Sequence, residues 1–222
     1  MFNESWPWKR ELGICAARLR KVAQEETHQN FELAEDEWES ETEEIFAIER
    51  DVMVGCFALR RLLGMPYKVT QEIRKRTVQV TVYPLREDRS APDYLDAVYA
   101  FDLYDFTKPT SRQITTQQMC NLFIHSHVFH LAWDLTGMSI EEARALEEND
   151  PRLNGPIRLG GFYVTTDQSK DQLIRLELET LTSRFEEMSL DELNRLHARR
   201  DSRGKWKIVE ANRAQRESEQ SD

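Results

Sequence analysis

No run of apolar residues approaches the roughly 20 that a membrane-spanning helix requires. The opening residues MFNESWPWKRELG also lack the apolar core of a secretory signal. The expected setting is the cytoplasm, with no membrane partner. Cysteine is scarce: Cys15, Cys56 and Cys120 lie far apart, form no CxxC pair and stand among apolar neighbours, which predicts buried thiols. The patterns GxxxxGK[ST], GxGxxG and GxSxG are missing as well, which argues against the phosphate cradles and nucleophile elbow they encode, and no cofactor is implied. Positive charge is in deficit. Thirty Lys and Arg against 40 Asp and Glu leave a formal charge of -10, so the average field repels phosphates and any nucleic-acid contact must be local.

What is present suffices for a core, with 40% hydrophobic residues over 222 positions. One α+β domain over 1–212 with a disordered tail over 213–222 is expected. Ser5 before Trp6 and Pro7 marks a helix start, and Trp8, Leu12, Cys15, Leu19 and Val22 recur at helical spacing. From Glu25 to Asp51 there are twelve acidic residues and one basic, Arg50, which suits either an acidic helix extension or a solvated loop, or else a docking surface for a basic partner. Ser40 with Glu43 reads as a capping box opening a second long helix to Leu63, able to pack antiparallel against the first. Arg60 and Arg61 fall in its last turn, where they suit the helix dipole.

Alternation of Val78, Val80 and Val82 with polar residues predicts a strand, and AVYAFDLY at 97–104 a second one. Thr115 and Gln118 form a capping box, flanked by Ile114 and Met119 at staple spacing, so a helix is expected from Thr116. The text then turns β-like at Val128, Phe129, Leu131 and Trp133, placing the histidines at a helix-to-strand junction. Ser139 with Glu142 predicts a short helix, Gly160 to Val164 a strand, 174–178 a strand giving way to a helix near Glu179, and Ser189 with Glu192 a last helix. Arg195 to Arg216 carries eight basic residues and two acidic ones.

CNLFIHS, Cys120 to Ser126, after a capped helix and downstream of a long helical pair, resembles the signature region of the HEPN superfamily. The resemblance implies a helical HEPN-like core of long antiparallel helices, with a small antiparallel sheet added near Val78, Val98, Phe129, Tyr163 and Ile174. It also implies a bacterial protein of stress or defence, often a homodimer, acting on RNA as a metal-independent endoribonuclease. Asn121 and His125 match the polar residue and histidine of the motif, while Cys120 stands at its arginine.

Metal-free cleavage of a phosphodiester needs an acid or base near neutral pKa, which His125 can supply, and a cation for the developing charge. Arg60, Arg61 and Arg112 are the candidates for that substrate-binding cation, and Asn121 can orient the imidazole from one helical turn away. The competing reading is that Asn121 and His125 cross-link the junction through hydrogen bonds. HSHVFH invites a metal, but strand geometry would send His127 and His130 to opposite faces, so no metal site is assigned. The alternative function is a catalytically silent module that docks a protein partner on the acidic face.

Overall fold

A computed structural model describes residues 4–25, 35–93, 101–138, 142–143, 146–147 and 150–212. Among these, five helices, α1 (Trp6–Gln24), α2 (Glu35–Leu63), α3 (Gln71–Lys75), α4 (Thr116–Ile124) and α5 (Leu178–Ser189), accompany seven strands. Strands β1 (Thr77–Pro84), β2 (Thr110–Thr115), β3 (Ser126–Leu135), β4 (Ile157–Thr166) and β5 (Gln172–Glu177) form one antiparallel sheet in the order β2-β1-β5-β4-β3. A separate hairpin pairs β6 (Arg195–Arg200) with β7 (Trp206–Asn212).

This architecture overturns the HEPN-like helical core. The protein is α+β, but the sheet is a full structural layer that supplies the floor of the main core, where a helical bundle would have only more helix. Val78, Val80, Val82, Ile114, Phe162, Val164, Ile174 and Leu176 present one sheet face to Leu12, Leu19, Leu59, Leu62, Met119, Phe123, Leu181 and Phe185 of the helices. Helices α1 and α2 do run antiparallel, with Trp8 against Phe57 at one end and Arg18 bonded to Asp51 further along. Helix α1 also packs on α5, where Arg20 bonds Glu186 at 2.7 Å. Gly55 permits the approach of α2 to α5, since a Cβ there would lie 2.2 Å from the Phe185 ring.

The opposite sheet face carries a smaller cluster, Tyr83, Tyr104, Val128, Ala132, Tyr163 and Leu173, roofed by Phe101, Leu103 and Phe106. Strand β5 is therefore buried on both faces, which explains why its residues read ambiguously. In the centre of this face Arg175 bonds Glu177 Oε1 and Asp134 Oδ2, each at 2.7 Å, and the Tyr163 hydroxyl at 3.2 Å.

Several local expectations need correction. Strand β1 pairs with β2 on one side and β5 on the other; of the stretch 97–104, 97–100 lies outside the described residues, 101–103 is a helical turn and Tyr104 makes a single bridge to Leu85. Helix α2 runs from Glu35, so Ser40 lies inside it and does not mark its start. Ser189 closes α5 instead of opening a helix, its hydroxyl donating back to the Glu186 carbonyl, and the basic segment that follows is the β6–β7 hairpin. The Ser139–Glu142 capping box, Val98 and the tail at 213–222 lie outside the described residues, at least in part. Among the described residues no helix is long and apolar enough to cross a membrane.

Candidate functional site

Helix α4 bridges the two edges of the sheet, entering from β2 and leaving into β3 without a loop at either end. Its start is set by the Thr115–Gln118 capping box: the Thr115 hydroxyl accepts from Gln118 N at 3.2 Å, and Gln118 Oε1 accepts from Thr115 N at 2.8 Å. Such a cap stabilises a helix by about 1 kcal/mol. Its end is His125, a single C-cap residue whose N–H bonds the Asn121 carbonyl at 3.1 Å before the chain extends into β3. Phe123 on one side of the junction and Phe129 on the other both pack on Phe162, at 5.6 and 5.7 Å. These aromatic contacts clamp the histidine's backbone from two sides.

The side chain of His125 is exposed. From α2, Arg60 reaches it, with Nη1 3.3 Å from Nε2. A guanidinium only donates, so in this contact Nε2 presents its lone pair and the proton belongs on Nδ1. The buried Cys56 and Cys120 explain why Arg60 arrives there. The two thiols meet between α2 and α4, and burial, then the bond to Cys120, pushes the Cys56 thiol well up. Arg60 follows Cys56 by one helical turn and so emerges at the C-terminal end of α4. Position 120, which holds Cys where the HEPN motif has Arg, faces this core and is fully buried, so a cation there would not reach solvent.

Of the residues singled out in the sequence, Arg60 and His125 therefore meet. Asn121 lies one turn before His125, and its Oδ1 is buried without a hydrogen-bond partner among the described residues. An unmet buried acceptor of this kind costs about 1–3 kcal/mol. Arg61 is exposed on the next position of α2. Arg112 does not join them: it sits on the edge strand β2 and donates to Gln172 Oε1 at 2.8 Å. Of the other histidines, His127 Nδ1 lies 3.4 Å from Asp167 and its Nε2 3.2 Å from the Asp93 carbonyl, while His130 packs on the Phe101 ring. Among the described residues no three His, Cys, Asp or Glu gather with metal-holding geometry.

The basic segment after Arg195 is a second cationic region. The hairpin carries Arg195, Arg199, Arg200, Arg203, Lys205 and Lys207 on a two-stranded ribbon. The excess of basic residues marks it in the sequence, although the helix expected at Ser189 is not there. No family model, curated protein or solved structure matches the chain. The fold and site thus define an α+β protein with an exposed histidine–arginine pair, and the functional reading rests on that chemistry.

Proposed function

We propose that the chain is an RNA-directed protein whose Arg60–His125 pair cleaves a phosphodiester without a metal. The observation that carries this reading is the guanidinium of Arg60 at 3.3 Å from the exposed imidazole of His125. A phosphate entering the site draws Arg60 onto its non-bridging oxygens and frees Nε2. His125 then takes the proton of the ribose 2′-hydroxyl as the 2′-oxygen attacks phosphorus. The bond from phosphorus to the 5′-oxygen breaks, and the imidazolium returns the proton to that leaving oxygen. The products are a 2′,3′-cyclic phosphate and a 5′-hydroxyl.

The test is cleavage of RNA in chelator by the wild type, His125→Ala and Arg60→Ala, with melting temperatures compared. Loss of about 100-fold or more in either variant with the fold retained supports the pair. Equal cleavage by all three, or none by the wild type, ends the assignment. A second reading, docking of a protein partner, is favoured by α2 itself, which exposes Phe46 (62%) and Phe57 (56%) beside the acidic Glu43 and Glu44. Under that reading a basic amphipathic peptide binds the wild type and is released by Phe46→Glu, as fluorescence anisotropy would report.

A further inference from the structure

The positive charge that the molecule as a whole lacks is gathered on the β6–β7 ribbon. The pairing Arg195↔Asn212, His197↔Glu210 and Arg199↔Lys207 defines one face, and Leu196↔Ala211, Ala198↔Ile208 and Arg200↔Trp206 the other. Its acidic residues are engaged locally. Asp201 accepts from the Arg203 and Lys205 amides at 2.8 and 3.0 Å, forming the turn that Gly204 completes at φ +75°, and Glu210 lies 3.5 Å from Arg195. Arg199, Arg200, Arg203, Lys205 and Lys207 have no carboxylate partner among the described residues. Beside them Trp206 is 67% exposed, with the Arg200 guanidinium 4.9 Å from its ring.

At the foot of the ribbon Leu196 forms part of the wall of a cavity of about 770 Å³, together with Trp6, Lys9, Arg10, Tyr67 and Lys68. That volume is in the range of small-molecule sites. In the wall Asp191 has its carboxylate held by Thr70 N and Oγ1 at 2.9 and 2.8 Å and its carbonyl accepts from Lys9, while the Arg10 guanidinium lies 5.6 Å over the Trp6 ring and Lys68 adds a further cation.

We infer that the ribbon and the cavity at its foot form the binding track of a single-stranded nucleic acid. Its phosphates run along Arg200 and the turn cations Arg203 and Lys205, one base stacks on Trp206 of the same face, and a nucleotide enters the cavity beside Arg10 and Lys68. Unpaired bases expose the faces that Trp206 can stack on, whereas a duplex keeps them hidden. This track deepens the RNA reading and rests on it for the ligand class, but binding needs none of the chemistry at His125.

The experiment measures anisotropy of a labelled unstructured oligoribonucleotide, the same sequence in DNA, and its duplex, using the His125→Ala chain so that nothing is cleaved. Strand binding is expected. In Arg203→Glu/Lys205→Glu the affinity should fall about tenfold or more at low salt, and the salt slope should flatten by about 1.4, at about 0.7 for each phosphate that no longer meets a cation. Trp206→Ala should lose about tenfold, with the slope kept. Lys21→Glu/Lys108→Glu, exposed cations elsewhere, makes the same charge change and should bind as the parent does. Arg10→Glu should weaken binding, and unchanged binding there overturns the cavity's part.

Absence of strand binding, equal loss in both double variants, or tighter duplex binding indifferent to Trp206→Ala overturns the track. RNA and DNA strands bound alike uphold it. A wild type that binds RNA but leaves it intact ends the cleavage reading and keeps the track. A wild type that cleaves RNA while the ribbon variants bind unchanged ends the track and keeps the pair.

Discussion

Arg175 and Arg60 each lie beside a ring, tyrosine in one case and imidazole in the other, but one is 2% exposed amid two carboxylates while the other, among the described residues, meets His125 at the surface and no carboxylate. Around Arg175, burial is the largest influence and works to lower its pKa. The bonds from Glu177 and Asp134 together outweigh it, and the net direction is up. The backbone makes room for this cluster, since a Cβ on Gly160 would fall 1.7 Å from Asp134 Oδ2. Nothing comparable holds Arg60. An arginine whose donors are spent on fixed carboxylates belongs to the structure, and one whose partner is an exposed imidazole can be handed to a phosphate.

The sharpest way to break this contrast is Arg175→Met. It strips the cation from Asp134 and Glu177 and should cost on the order of 3 kcal/mol in urea unfolding, the more exposed Glu177 limiting the loss. If stability hardly changes, the Arg175 cluster is not the structural member of the pair. Thr115→Ala tests the scaffold that presents His125: losing the cap should lower stability by about 1 kcal/mol, and hydrogen exchange in α4 should rise with it.

Asp105 offers a half-buried carboxylate for comparison. The Thr107 hydroxyl at 2.6 Å, then the Thr107 amide, draw its pKa from 3.8 down to about 2. A folded pKa below the unfolded one gives stability that is present above pH 3.8 and lost as pH falls through 2. Asp105→Asn should therefore melt below the wild type at neutral pH and converge with it near pH 2, in scans across that window. The smallest stability effect is expected for Arg60→Ala, within about 0.5 kcal/mol, although cleavage should fall steeply. A large loss of stability there would return Arg60 and His125 to a structural cross-link.

Local chemistry was legible in the sequence, and tertiary placement was not. Thr115 and Gln118 are three residues apart and announce α4 by themselves, as Val78, Val80 and Val82 announce β1. Strand β2 was invisible because an edge strand pairs on one side only, and Thr110, Ser111, Arg112 and Gln113 all face solvent. The sheet was read as an addition to a helical bundle because each strand's burial depends on partners far along the chain. The same limit applied at the site. Asn121 and His125 share one helix and could be read together, but choosing Arg60 over Arg61 and Arg112 required the crossing of α2 over α4.

Cys15, Cys56 and Cys120 come from three different helices and are all buried, and burial, aided by Asp51, lifts the Cys15 thiol to about 12. In the closed molecule none offers a nucleophile to an alkylating reagent, so modification must wait for a helix to lift away. The three sulfurs thus make the core its own stopwatch: the cysteines that carry a label, located by peptide mass, show whether α1 leaves before or after α2 and α4 part and uncover Cys56 and Cys120 together.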